Sequence, residues 1–186
     1  MDKEIKVLAK ETKWAGNFLN LHHYHLNDGR IYEVCSRKSN PDPKECDAVD
    51  IVAFNEDKTK VCVIVEYRIP VEGYCIAFPA GLREAGEGIF ETAQRELWEE
   101  CGLHISTIYK ILEPSFQSAG MSDESVATVV CSAAGDITNE HQEKCENIRP
   151  VWVTKAEAKK IVESGQNISA RCQIFLALWS GFIPSL

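Results

Sequence analysis

The chain has 186 residues, 45% hydrophobic and 26% charged, with 7 Pro and 11 Gly, an ordinary globular composition rather than a disordered or fibrous one. Its formal net charge of −8 argues against nucleic acid as a main partner, because phosphate backbones are bound through surplus Lys and Arg. No run approaches the roughly 18–20 apolar residues of a membrane span, and the opening MDKEIKVLAKETKW is too charged for a signal peptide.

In chain order, NFLNLHHYHLNDGRIYEVCSR (17–37) predicts two strands about an Asn-Asp-Gly turn, a strong hairpin signal. HHYH (22–25) suggests zinc, but its residues alternate faces on a strand and no cysteine has suitable spacing, so exposed strand histidines are expected. SNPDPKECD (39–47) is a loop, and AVDIVAF and KVCVIVEYRIP read as buried strands around the turn NEDKTK. GYCIAF is a further strand, broken by PAG (79–81) ahead of an acidic helix. TIYKILEP and SVATVVCSA are strands separated by the loop SFQSAGMSD, and polar GDITNEHQEKCEN (135–147) precedes the strand IRPVWV. Thr154 and Glu157 form a capping-box pattern opening a helix to about Ser164. A last helix runs through SARCQIFLALWSGF with Ser169 as its cap. Strands with two or three helices and no regular βαβ alternation indicate an α+β or mixed α/β sandwich. The 8 Cys include no CxxC pair. Several, such as Cys62 in VCVIV, read as small apolar core residues, so free thiols in a reducing cytoplasm are expected.

The acidic stretch GLREAGEGIFETAQRELWEECGL (81–103) poses the central question. At 100° per residue, Phe90, Ala93 and Cys101 fall within about 40° of Leu97, a narrow buried stripe. Glu96, Glu99 and Glu100 crowd one flank of it, where like charges four apart repel by roughly 0.2–0.5 kcal/mol per pair. Arg95 lies four residues from both Glu91 and Glu99 and can pair with either. Gly102 fits the left-handed position that ends a helix. A solvated acidic face is the bland alternative, but such faces usually alternate acids with Lys, and no lysine occurs from 81 to 103. Three converging carboxylates make a hard-oxygen site for Mg²⁺ or Mn²⁺, and binding the metal removes their repulsion.

The spacing Gly81, Glu87, Arg95-Glu96-Leu97-x-Glu99-Glu100-x-Gly102-Leu103 resembles the Nudix box, G-x5-E-x7-R-E-U-x-E-E-x-G-U with U aliphatic. Every defined position matches. Seven fixed residue types at ~7% usage would coincide by chance on the order of once in 10⁸ windows, so the signal is specific. The resemblance implies a hydrolase of nucleoside diphosphates linked to another group, folded as an α/β/α sandwich with a mixed sheet. EYRIPVEGYCIAFPAGLREAGE (66–87) is similar to the ADP-ribose and ADP-sugar pyrophosphatase branch. There the residue matching Arg68 faces the substrate diphosphate, which suits a guanidinium fork. The backbone carbonyl matching Ala80, with Glu96, Glu99 and Glu100, holds two or three Mg²⁺ (or Mn²⁺) ions.

TKWAGNFLNLHHYHLNDGRIYEVCSR resembles the small β-domain that such enzymes exchange across a homodimer, implying residues 1–45 as that subdomain and 46–186 as the hydrolase domain. By the same resemblance Trp14 and Tyr32 sandwich adenine, ordinary packing being the competing reading for either ring, and Arg37 faces phosphate or ribose. Glu124 is a candidate substrate contact, with a plain surface acid as the competing reading. The resemblance puts the general base on the loop before IRPVWV, with Glu143 and Glu146 the candidates, Glu140 a third, and Glu99 and Arg95 completing the catalytic set. Two departures stand out: Ala77 replaces the family's Glu, and Ala119 occupies the place of a loop proline. The implied reaction is hydrolysis of ADP-ribose to AMP and ribose 5-phosphate. NADH, a dinucleoside polyphosphate or another sugar nucleotide stays open as substrate, as does a non-catalytic nucleotide sensor.

Overall fold

The structure is a computed structural model; it describes residues 4–39, 46–142 and 147–184. The chain divides into two compact units, Met1–Asp47 with Pro114–Val126, and Ala48–Glu113 with Ala127–Leu186.

The first unit is built on an antiparallel sheet of β1 (Val7–Ala15), β2 (Asn20–Leu26) and β3 (Ile31–Ser36) in that order. The predicted hairpin is present, with Gly29 at φ 88° taking the left-handed turn position. β1 has no counterpart in the sequence reading. Its residues are all exposed, so it carries no alternating apolar signal and is specified by its pairing with β2. One expectation needs correcting: His22 is buried rather than an exposed strand histidine, with ring nitrogens 3.1 Å from Thr12 Oγ1 and 3.2 Å from the Lys38 carbonyl. A buried imidazole is tolerated because both nitrogens have partners. Within this unit the 114–126 segment is tied down by Cys35 N–H to the Met121 carbonyl (2.9 Å) and the Tyr32 hydroxyl to the Gly120 carbonyl (2.6 Å). Lys38 and Asp47 form a well-buried ion pair at 2.9 Å.

The second unit is organised by a mixed sheet with the path β10-β5-β4-β9-β8, to which β6 adds beside β5 and β7 beside β4. These strands are β4 (Ala48–Phe54), β5 (Lys60–Arg68), β6 (Gly73–Ala77), β7 (Ala80–Leu82), β8 (His104–Phe116), β9 (Ser125–Ala134) and β10 (Ile148–Thr154). Alternation along them splits the core in two. Val49, Ile51, Ala53, Cys62 and Ile64 face α1 (Ile89–Cys101) through Ala93, Leu97 and Cys101. Val52, Val61 and Val63 face α2 (Lys155–Glu163) and α3 (Ala170–Trp179) through Ala158, Cys172 and Leu176. This is the expected helix–sheet–helix sandwich. The Thr154–Glu157 capping box forms in full, whereas Ser169 occupies the α3 cap position without a side-chain bond. Residues 80–82 pair with β4 instead of only breaking a strand, because Ala80 lies opposite Asp50. Phe90 is exposed rather than part of the α1 stripe, and Thr92 is buried in the first turn instead.

Cys62, Cys101, Cys131 and Cys172 are fully buried free thiols, with Cys62 and Cys101 sulfurs 3.8 Å apart. Burial pushes the Cys131 and Cys172 thiols up to about 12. Among the described residues no helix is long and apolar enough to cross a membrane.

Candidate active site

α1 ends as the sequence predicts. Gly102 at φ 71° donates to the Trp98 carbonyl, and the Leu103 N–H turns back toward Leu97. Two further helix carbonyls are met by the polar segment beyond β9. Thr138 N–H donates to Cys101 and the Gln142 side chain to Glu100, at 3.0 and 3.2 Å. The Gln142 amide also donates to the Ile148 carbonyl at 2.7 Å. His141 stacks on Trp98 with ring centroids 4.0 Å apart.

Arg95 is the hub of the acidic face. Its Nε and Nη2 donate to the two oxygens of Glu87 at 2.8 and 3.0 Å. Nη1 donates to Glu96 and Glu99 at 2.7 and 3.0 Å, and Nη2 also to the Leu82 carbonyl at 2.9 Å. Glu91, the other partner the helical spacing allowed, takes no part. Glu87 additionally accepts from Glu84 N–H and the Thr92 hydroxyl. The Arg95 guanidinium, helped by these bonds, holds the Glu87 carboxyl down at about 2, and the arginine is correspondingly raised, first by Glu87. One cation thus aligns three of the four box glutamates.

The fourth, Glu100, is 4% exposed and accepts from Ala80 N–H at 3.0 Å. Beside it Gly81 has a packing role, since a Cβ there would run into the Glu96 carboxylate. The turn at Pro79–Gly81 and the α1 carboxylates are therefore brought together, as the sequence predicts for Ala80, Glu96 and Glu100. Among the described residues no three His, Cys, Asp or Glu side chains already enclose a common point. Arg95 supplies counter-charge to Glu96 and Glu99. The donors fit a hard divalent cation, being all oxygen, in charge excess over Arg95 and pressed against a residue with no side chain.

Other candidates separate by unit. Arg68, half-exposed on β5, pairs with Glu66 two residues away at 2.8 Å. In the first unit Trp14 is 59% exposed and Tyr32 also half-exposed. Arg37 and Glu124, predicted separately, form an ion pair at 2.6 Å. Glu140 is exposed, with its N–H donating to the Thr138 hydroxyl; Glu143 and Glu146 lie outside the described residues. Sequence reasoning missed Thr92, Gln142 and the Trp98–His141 stack. Only Thr92, five residues after Glu87 on a turn entering a helix, carried a local signal.

The family model for the NUDIX domain matches residues 44–172. A Caenorhabditis elegans protein bearing a nudix hydrolase name is 29% identical over 154 residues, 80% of this chain and 66% of that protein; the chain thus spans about two thirds of that relative's length. ADP-ribose pyrophosphatase of Bacillus subtilis is 28% identical over 169 residues, 90% of this chain and 88% of that one. A crystal structure of an ADP compounds hydrolase superposes with a TM-score of 0.72 at 24% identity, covering 94% of this chain and 92% of the other, a likeness of fold. With the family match spanning most of its length and the acidic box complete, the chain belongs to the NUDIX family, as a hydrolase on the branch that holds its ADP-ribose pyrophosphatase relatives.

Proposed function

We propose that the chain hydrolyses the pyrophosphate link of a nucleoside diphosphate sugar, with ADP-ribose as substrate and AMP and ribose 5-phosphate as products. The observation that carries this reading is the complete box gathered at Ala80–Gly81, with Glu100 bonded to Ala80 and Glu96 packed on Gly81. The names of the relatives support the choice of ADP-ribose.

Glu96, Glu99 and Glu100, with the Ala80 carbonyl, would hold two or three Mg²⁺ or Mn²⁺ ions, which supply neutralisation of the diphosphate and a lowered pKa for water. Arg95 orients Glu96 and Glu99, and Arg68 offers its guanidinium to the diphosphate. Water attacks one phosphorus in line, the bridging P–O bond breaks, and a carboxylate of the polar loop takes the water's proton. Glu143 or Glu146 is that base, with Glu140 the third candidate. In the amino-terminal unit Trp14 and Tyr32 supply aromatic faces suited to a purine, worth roughly 1–3 kcal/mol per stacked base. The reading includes a homodimeric enzyme of a reducing cytoplasm, in keeping with free thiols at every described cysteine.

The test is a hydrolysis panel of ADP-ribose, NADH, a dinucleoside polyphosphate and non-adenine sugar nucleotides, with Mg²⁺ or with chelator. ADP-ribose is expected to give the highest kcat/KM, and chelator to abolish turnover. Nucleotide binding without turnover would mean a sensor; a better substrate elsewhere in the panel would reassign the specificity.

A further inference from the structure

The last four carbonyls of a helix have no donor within it. On α1 these include Glu100 and Cys101, and both are met from outside: Cys101 by Thr138 N–H at 3.0 Å and Glu100 by the Gln142 side-chain amide at 3.2 Å. The Gln142 amide is used on both its atoms. Its Nε2 also donates to the Ile148 carbonyl at 2.7 Å, while its Oε1 accepts from Ile148 N–H at 3.3 Å. One side chain therefore joins the end of α1 to the start of β10, all within the second unit.

The segment that carries Gln142 is seated closely on the helix end. A Cβ on Gly102 would run into Thr138, and one on Gly135 would press on the Gly102 carbonyl. His141, beside Gln142, lies nearly flat on Trp98, with 14° between the ring planes. Glu100 is thus held twice, its carbonyl by Gln142 and its buried carboxylate by Ala80 N–H. Helix ends fray when their carbonyls go unmet, whereas a cation ligand must stay within roughly 0.5 Å of its working position. A neutral amide suits the place: it caps the carbonyl without adding a positive charge that would compete with a metal for the neighbouring carboxylates.

We infer that Gln142 is a positioning residue for Glu100: by holding the last turn of α1 to the start of β10, it keeps this carboxylate where a divalent cation takes it up. The inference rests on the reading of Glu100 as a metal ligand, and Gln142 itself stands outside the ligand set.

Calorimetric titration of the protein with Mn²⁺ alone tests it without turnover. Groups that orient a metal ligand typically change affinity by about 10–100-fold. Gln142→Ala should therefore weaken Mn²⁺ binding about tenfold, with the circular dichroism spectrum of the parent retained. Gln142→Met, similar in length and neutral but lacking the N–H groups, should lose as much, and it carries the comparison if the alanine variant does not fold. In a Glu100→Gln background, Gln142→Ala should add less than about twofold, because the carboxylate through which it acts is gone. Unchanged Mn²⁺ affinity in the folded Gln142 variants, with or without a lower melting temperature, would reduce Gln142 to a structural cap and overturn the inference. So would a full tenfold loss on top of Glu100→Gln. A parent that binds no Mn²⁺ would remove the metal reading and the inference together. A parent that shows these effects but leaves ADP-ribose intact would remove the catalytic reading alone.

Discussion

Along α1, Glu87, Glu96 and Glu99 share the single guanidinium of Arg95, and Glu100 is bonded to the backbone of the neighbouring strand. Along β1–β3 the charges are instead spent on small local pairs: Lys13 and His25 both reach Glu11, and Arg30 reaches Asp28. The first arrangement is a coupled network in which removing one member leaves others uncompensated. The second is a set of nearly independent surface contacts, each worth a fraction of a kcal/mol. Charge on α1 is thus held by one shared, mostly buried hub, and charge on β1–β3 by dispersed exposed pairs.

The largest expected effect comes from breaking the network at its most buried acid. Glu100→Gln keeps the shape and an acceptor for Ala80 N–H, so the melting temperature should move by only a few degrees. ADP-ribose turnover should fall by about 10³-fold, because the proposed metal site would lose one of its carboxylates. Turnover at the parental rate would dismiss the metal assignment.

Next is Glu87→Gln, which removes the charge and one of the two oxygens that accept from Arg95 and should cost about 1–3 kcal/mol at pH 7 in urea unfolding. The effect has a definite acid dependence. The folded-state Glu87 carboxyl titrates at about 2, against an ordinary 4.5, so its contribution is complete above the ordinary value and is lost as pH falls toward 2. The gap between parent and variant should accordingly narrow across that window; a gap independent of pH would show that Glu87 acts by shape alone.

The smallest change belongs to the sheet. Trp14→Ala removes a 59% exposed ring, so stability should change by less than about 1 kcal/mol. KM for ADP-ribose should rise about tenfold through loss of one stacked face. An unchanged KM would return Trp14 to the class of ordinary surface residues and remove nucleotide contact from that side of the contrast.

The two regions also differ in how far the sequence reveals them. The box is legible residue by residue because chemistry fixes its spacing: Gly81 must lack a side chain where Glu96 packs, Arg95 must reach three acids, and Gly102 must end the helix. The buried strands β4, β5 and β9 announce themselves through apolar runs. β1 does not, since an edge strand of exposed residues is defined by its neighbour's hydrogen bonds. The burial of His22 is not legible in the strand pattern, which alone does not reveal Thr12 and the Lys38 carbonyl as its partners. The grip of Gln142 on the Glu100 carbonyl joins positions 42 residues apart in sequence, and no local pattern encodes it.

The four sulfurs sealed in the core have a practical consequence. Burial pushes the Cys131 and Cys172 thiols up to about 12, and the Cys62 and Cys101 sulfurs lie 3.8 Å apart in the apolar core. An alkylating reagent attacks thiolates, so these positions can be labelled only during transient openings of the sandwich. Cys35, Cys46 and Cys75 are only partly covered and should label first. The chain thus carries its own clock for breathing motions. Because Cys101 lies on α1 and Cys172 on α3, its hands read the two faces of the sheet separately.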